Sequence, residues 1–298
     1  MGSRTSLAGN DAIERRCQAL ETKTRLDLDA VDRAIARIRR PEVVRARLGD
    51  ALLYAQRVEA EVAQLPIDVA LPHTADSFLG RFLRVWTPDE IGHGEAQERL
   101  LGFLGMPAPE AVTDDWLMSH IAGLLGRVSP QAYAMISMTY HTVGAMNEKL
   151  AMSAYQAMAT IASEVGEQEL ADVLFSPMRR DESMHLGFYR TYAGALGRQL
   201  RPWQRRAVRN LIVSTYAPVG ARRDKHKPSL GRTLLALEHD PDDPTIATLT
   251  QAIAEDLLAE SGQVLPPFVH RAMGRCVESA RASDVGEHPP PETVALAR

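Results

Sequence analysis

Cysteine is scarce in this chain. Cys17 and Cys276 are its only two, too few for a disulfide framework or a thiolate zinc site. Aromatic residues make up only 5%. No uncharged apolar run approaches the ~18 residues of a membrane-spanning helix, and the opening segment MGSRTSLAGND lacks the apolar stretch of a signal peptide. A basic excess is also missing. The formal net charge of −4 argues against a generic nucleic-acid binder, whose footprint is usually basic. These absences predict a soluble cytoplasmic protein with no membrane span and no nucleic-acid partner. Within them, 45% hydrophobic and 24% charged residues over 298 positions suffice for a sizeable buried core.

Strand-like alternation is absent before residue 200, and apolar residues recur at helical spacing instead. Helices are predicted from about Asp11 to Arg40 (one or two), Glu42 to Gln64, Ala75 to Leu104, Glu110 to Leu125, Pro130 to Ser163 and Glu167 to Leu200. Shorter ones follow: Pro202 to Tyr216, one before the turn at His239–Pro244, Thr245 to Glu260, and Pro267 to Arg281. Ser129-Pro130 reads as an N-cap followed by proline in the first turn. The expected fold is all-α, one domain over residues 1–283, with residues 1–10 disordered. The Pro-rich tail 284–298 is also expected to be disordered.

Two stretches share one pattern: Asp89-Glu90-Ile91-Gly92-His93 and Asp181-Glu182-Ser183-Met184-His185, both D-E-x-x-H. Helical residues three apart lie on one face, so each stretch presents a carboxylate and an imidazole together. Nine His and twenty Glu in 298 residues give roughly 0.6 chance matches to E-x-x-H. Two matches, both preceded by Asp, exceed that expectation. Two such helices, with one further Glu from each of two partner helices, make the carboxylate-bridged di-metal site of ferritin-like four-helix bundles. The extra N- and C-terminal helices would flank that core.

The partner carboxylates follow from helix faces. Glu148 is the only acidic residue between Pro130 and Ala162, set among Ala145, Met146, Leu150, Ala151 and Met152. A lone carboxylate on an apolar helix is costly unless it is paired or binds a metal. In the first half, Glu59 and Glu61 compete. At ~100° per residue, Glu59 lies with Val44, Leu48, Leu52, Ala55 and Val62, whereas Glu61 lies with Asp50 and Arg57, so Glu59 is preferred. Each chosen Glu precedes its motif Glu by a similar interval, 31 residues in one half and 34 in the other. Four carboxylates and two imidazoles suit Fe or Mn better than Zn, with Mn an alternative ion at one position. Asp89 and Asp181 are candidates to accept hydrogen bonds from the ligand imidazoles; ordinary surface carboxylates are the competing reading.

The run Arg84-Val85-Trp86-Thr87-Pro88-Asp89-Glu90-Ile91-Gly92-His93-Gly94 resembles the W-T-x-E-E-N-R-H-G motif of soluble acyl-acyl carrier protein desaturases. Asp181 to His185 resembles their D-E-x-x-H, and Asn147-Glu148 resembles the Q-E on their third ligand helix. The similarity covers about Leu52 to Leu200. It implies a di-iron bundle that takes electrons from a ferredoxin-type donor, reduces O2 as co-substrate, and oxidises an unactivated C–H position. It implies Glu59, Glu90, His93, Glu148, Glu182 and His185 as ligands and catalytic residues, Glu90 and Glu182 as bridges, and Trp86 as a neighbour of the site. The sequence departs from the family at Ile91-Gly92, where Asn-Arg stands, and at Ala151, where Thr is frequent. Hydroxylation therefore stands beside desaturation, on an apolar or acyl-carrier-bound substrate.

Other residues admit two readings. Gly144, Ala145 and Ala151 either leave room for substrate or let helices approach closely. His141, Met184 and Tyr189 fall near the site by helical spacing, and Tyr189 is either redox-active or a plain buried tyrosine. Met135, Met138, Met146, Met152 and Met158 read as core filler. Arg205, Arg206 and Arg209, with the Arg222–Lys227 loop, either dock an acidic carrier or form a solvated charged surface. Alternatives for the whole chain are a di-iron N-oxygenase acting on an amine, an iron-oxidising or storage protein, and a metal-free helical bundle. A homodimer is one option for assembly.

Overall fold

The computed structural model describes residues 7, 10–62, 64–109, 116–237, 244–260 and 263–287. The predicted turn at His239–Pro244 lies outside them except for Pro244, as do most of residues 1–10 and the tail from 288. All regular structure among the described residues is helical. In chain order the helices are α1 (Asp11–Glu21), α2 (Leu28–Ile35), α3 (Pro41–Val62), α4 (Ile67–Ala70), α5 (Phe78–Phe103), α6 (Trp116–Val128) and α7 (Pro130–Glu164). They continue with α8 (Gln168–Leu170), a π-helical stretch (Ala171–Phe175), α9 (Ser176–Gln199), α10 (Pro202–Thr215), α11 (Lys227–Leu237), α12 (Thr245–Leu258) and α13 (Phe268–Glu287). A 3₁₀ turn, Asp224–His226, precedes α11. None of these helices is long and apolar enough to cross a membrane.

The start of α7 is as its sequence predicts: Ser129 Oγ accepts from the Ala132 amide at 3.2 Å, and Pro130 occupies the first turn. Three differences from the sequence expectation have local causes. The short α4 falls where only a loop is expected, since four residues are too few to show a period. The helix that carries Asp181 is interrupted by the π-helical stretch just before Pro177. Proline has no N–H for the carbonyl four residues back, and a wider turn there accommodates the missing bond. Finally, α13 continues through residues 284–287, four residues the sequence assigns to the tail; the prolines that end a helix begin only at Pro289.

Two helix pairs position the site. α7 lies along α9, α3 lies along α5, and contacts of α3 with α7 and of α5 with α9 join the pairs. α1 packs across α5 and α9, α11 against α3 and α13, and α12 against α7. One hydrophobic cluster from Leu7 to Cys276 runs through all of them. The junction of the two pairs is fixed at the end of α7. Gly166 has φ +84°, and its amide reaches Ser163 O at 2.9 Å while the Glu167 amide reaches Ala162 O at 2.8 Å. That is the two-bond Schellman ending, which favours glycine. The Glu167 carboxylate then accepts from the amides of Arg39 and Arg40 at 3.1 and 3.2 Å, just ahead of α3.

A Cβ at position 166 would also lie 2.9 Å from the Arg40 guanidinium. Gly166→Ala is therefore expected to destabilise the fold by about 1–2 kcal/mol, measured by denaturant unfolding. An unchanged midpoint would show that this junction tolerates a side chain.

Candidate metal centre

Each predicted ligand comes from one of the four paired helices: Glu59 from α3, Glu90 and His93 from α5, Glu148 from α7, and Glu182 and His185 from α9. All six are buried, none more than 7% exposed. Their donor atoms form two overlapping groups, Glu59–Glu90–His93–Glu182 and Glu90–Glu148–Glu182–His185, with the atoms of each group within 4.8 Å of one another. Glu90 and Glu182 belong to both. Glu61 does not join them; it lies 3.6 Å from the Arg57 guanidinium on the other side of α3, as the helix-face argument predicts.

The imidazoles turn the same nitrogen inward. His93 Nδ1 lies 3.1 Å from Glu182 Oε1. His185 Nδ1 lies 3.2 Å from Glu182 Oε2 and 3.3 Å from Glu90 Oε1. The outer nitrogens meet the two aspartates crosswise: His93 Nε2 is 3.4 Å from Asp181, and His185 Nε2 is 3.1 Å from Asp89. Each motif thus supports the imidazole of the other, and an aspartate that accepts from Nε2–H leaves Nδ1 with its lone pair directed inward. Trp86 donates from Nε1 to Glu148 Oε1 at 3.2 Å. Trp86, Asp89 and Asp181 are therefore all in place beside the ligand cluster.

No family model, curated protein or solved structure matches the chain. The resemblance to the desaturases rests on the motif residues alone.

Among protein groups alone, charge is balanced by protons. Burial, then the neighbouring Glu90 carboxylate, holds Glu59 well above the usual carboxylate range. Burial and Glu182 do the same to Glu148 and push Glu90 up to about 7. Burial opposes charge on His93, but the Asp181 and Glu182 carboxylates outweigh it and raise that imidazole to about 10. His185 is raised likewise by Asp89 and the glutamates. Burial would also raise Glu182, yet the two imidazoles overcome it and hold this carboxyl well below its ordinary value.

Whether a divalent pair fits can be judged from the donors. Glu90 Oε1, His93 Nδ1 and Glu182 Oε1 are buried and make no hydrogen bond of good geometry among the described residues, although His93 Nδ1 faces Glu182 Oε1 at 3.1 Å and His185 Nδ1 faces Glu90 Oε1 at 3.3 Å. With neutral imidazoles these atoms are lone pairs aimed at common points, an arrangement that cations satisfy and that is costly without them. The four carboxylate charges equal those of two divalent ions, and the O/N donor set suits iron or manganese. The residues fit the group.

Several neighbours are resolved as well. His141 is a core histidine: its Nδ1 donates to Ser137 O at 2.6 Å, its ring stacks on Tyr192 at 4.0 Å, and burial pulls it down to about 4. It joins neither ligand group. The Tyr189 hydroxyl pairs with that of Tyr140 at 3.0 Å. Gly144 serves packing, since a Cβ there would lie 2.6 Å from the Tyr189 ring. Met138, Met146 and Met158 are buried in the core.

Three polar residues escape a reading of the sequence. Tyr155 donates to Glu59 Oε1, and Gln97 Nε2 donates to the Tyr155 hydroxyl at 2.8 Å. Both stand two helical turns beyond a ligand glutamate, seven residues after Glu148 and Glu90, where the same face recurs. The third is Lys23, whose ammonium lies between Asp89 and Asp181 at 2.8 and 2.7 Å. Its one trace in the sequence is rarity: the chain has four lysines against thirty arginines.

The sign of the pH dependence follows. Glu90, with an ordinary value of 4.5, and His93, with 6.5, both bind protons more tightly folded than unfolded. Their contribution is full below those ordinary values and is lost as pH rises through about 7 and about 10. Glu59, Glu148 and His185 act in the same direction, and Glu182 acts oppositely, losing its contribution as pH falls. Protein stripped by a chelator is therefore expected to melt at lower temperature at pH 9 than at pH 6. Loading with divalent ions should weaken or reverse that trend, because ions replace the protons. Calorimetric scans across the range decide it; a stripped protein whose melting temperature rises with pH would contradict the assignment.

Proposed function

We propose that this protein is an O2-dependent di-iron oxidoreductase with a ferritin-like bundle core, acting as a desaturase or hydroxylase on an apolar or carrier-bound substrate. The observation that carries the reading is the pair of overlapping four-residue groups sharing Glu90 and Glu182. In this reading Glu59, Glu90, His93 and Glu182 would hold one ion, and Glu90, Glu148, Glu182 and His185 would hold the other. The ion pair, when bound, supplies the redox chemistry by which O2 is activated with electrons from an external ferredoxin-type donor.

The chain's own residues supply the rest. Asp89 and Asp181 keep both imidazoles turned inward, and Trp86 fixes one oxygen of Glu148. Tyr155 and Gln97 hold Glu59 from the other side. That side opens on a cavity of about 40 Å³ whose wall includes Glu59, Tyr155, Ala151, Ala154, Leu234 and Ile246. Apart from Glu59, Thr233 and the two tyrosines Tyr54 and Tyr155, the side chains there are aliphatic or thioether. Such a wall excludes water and favours a hydrocarbon segment beside Glu59. It offers an amine little beyond one carboxylate. Ala151, where the desaturases often carry Thr, contributes a methyl group to this wall instead of a hydroxyl. α11 and α12 complete it through Leu234 and Ile246, an investment that iron storage would not require. On α10, exposed Arg206 beside exposed Trp203 offers an acidic donor or carrier a place to dock.

Iron-loaded, reduced protein should consume O2 in step with a product that has lost two hydrogens or gained one oxygen, read by mass spectrometry over a panel of fatty acyl substrates. O2 consumption that yields only water or peroxide with every substrate would support iron oxidation instead. Glu148→Ala and His185→Ala are expected to lose metal and at least about 100-fold in turnover, more than a change outside the ligand set usually costs. Helical circular dichroism should persist. Either variant retaining two irons would refute the ligand assignment.

A further inference from the structure

We propose that Lys23 is a positioning residue of the metal centre, its ammonium tying Asp89 to Asp181 and thereby orienting both ligand imidazoles at once. The inference rests on reading the glutamate–histidine cluster as a di-metal site. Lys23 follows α1, and its side chain is only 5% exposed. Nζ lies 2.8 Å from Asp89 Oδ2 and 2.7 Å from Asp181 Oδ1, and both aspartate side chains are 1% exposed. Each aspartate faces the outer nitrogen of one imidazole. A continuous polar chain, His93–Asp181–Lys23–Asp89–His185, therefore closes the outer side of the cluster, with the lysine at its centre. Arg180 also approaches Asp181 Oδ1, at 4.0 Å, but from a side chain 56% exposed.

Two features separate this arrangement from an incidental ion pair. A buried lysine gives up most of its rotamer freedom and its charge must be compensated in full, so its placement between two buried carboxylates is specific. Its chemistry suits the place: a compact ammonium with diverging donors can bridge two separate buried carboxylates. The same chain uses arginine where the carboxylates are partly exposed. Arg81 reaches both carboxylate oxygens of Glu21 at 2.8 and 2.7 Å and Glu14 at 2.7 Å. Those bonds hold α1 on α5, with Ile13, Cys17 and Leu20 buried beneath. The N-terminal helix is thus anchored by an arginine and delivers a lysine to the centre from outside the four ligand helices.

The test compares full-length wild type with Lys23→Met, Asp89→Asn and Asp181→Asn. The readouts are release of iron(II) to a chelator without O2 and the ligand-field spectrum of the cobalt(II)-loaded protein. Lys23→Met is expected to release both ions 10–100-fold faster and to shift the cobalt bands of both positions. Asp89→Asn should disturb only the ion beside His185, and Asp181→Asn only the ion beside His93. Folded Lys23→Met with wild-type release and spectrum overturns the proposal and leaves the di-metal reading intact. Wild type that binds no divalent ion overturns that reading instead. Should Lys23→Met not fold, having left two carboxylates uncompensated, K23M/D89N/D181N removes the charges together. Release from it faster than from D89N/D181N supports the proposal, and release equal to that double variant's overturns it.

Discussion

Four carboxylates gathered within a few ångströms in a protein interior repel one another, and that repulsion governs the rest of this structure. Unit charges 4 Å apart interact by about 4 kcal/mol at the effective dielectric typical of proteins, and water is excluded here. The fold can hold Glu59, Glu90, Glu148 and Glu182 together only if positive charge arrives among them. Protons on the carboxyls and imidazoles can meet that need, and the two donor groups could meet it with divalent ions instead. Both solutions require the same inward Nδ1 atoms. That is why the supporting hydrogen bonds of Asp89 and Asp181 matter as much as the cluster itself.

The surroundings of the cluster divide into two unlike sides. On one, the outer nitrogens, two aspartates and Lys23 form a polar chain sealed by the N-terminal helix. On the other, Glu59 is backed by Tyr155 and opens on an aliphatic cavity closed by α11 and α12. Charge compensation is confined to the first side and apolar volume to the second.

Much of this was legible in the sequence because it follows from helical periodicity. Spacing alone pairs Glu90 with His93 and Glu182 with His185, and the apolar face of α3 separates Glu59 from Glu61. The lone acidic residue of an apolar helix marks Glu148. What spacing could not supply is whatever depends on how helices cross. The exchange of aspartates between motifs is invisible in either motif alone, since each Asp lies beside its own Glu in sequence but opposite the other histidine in space. Lys23 lies outside every helix period, 66 residues before Asp89 and 158 before Asp181, and only the packing of α1 brings it in. Gly144, a candidate for cavity volume by size, proves to accommodate the Tyr189 ring; size alone does not say what fills the space.

The claim on which the account depends is that two ions sit in these two overlapping groups. Anomalous diffraction at the iron edge from crystals of iron-loaded protein addresses it directly. The account predicts two peaks, one bounded by Glu59, Glu90, His93 and Glu182 and the other by Glu90, Glu148, Glu182 and His185. Loaded crystals with no anomalous peak inside the cluster, or with iron bound only at surface residues, would contradict it.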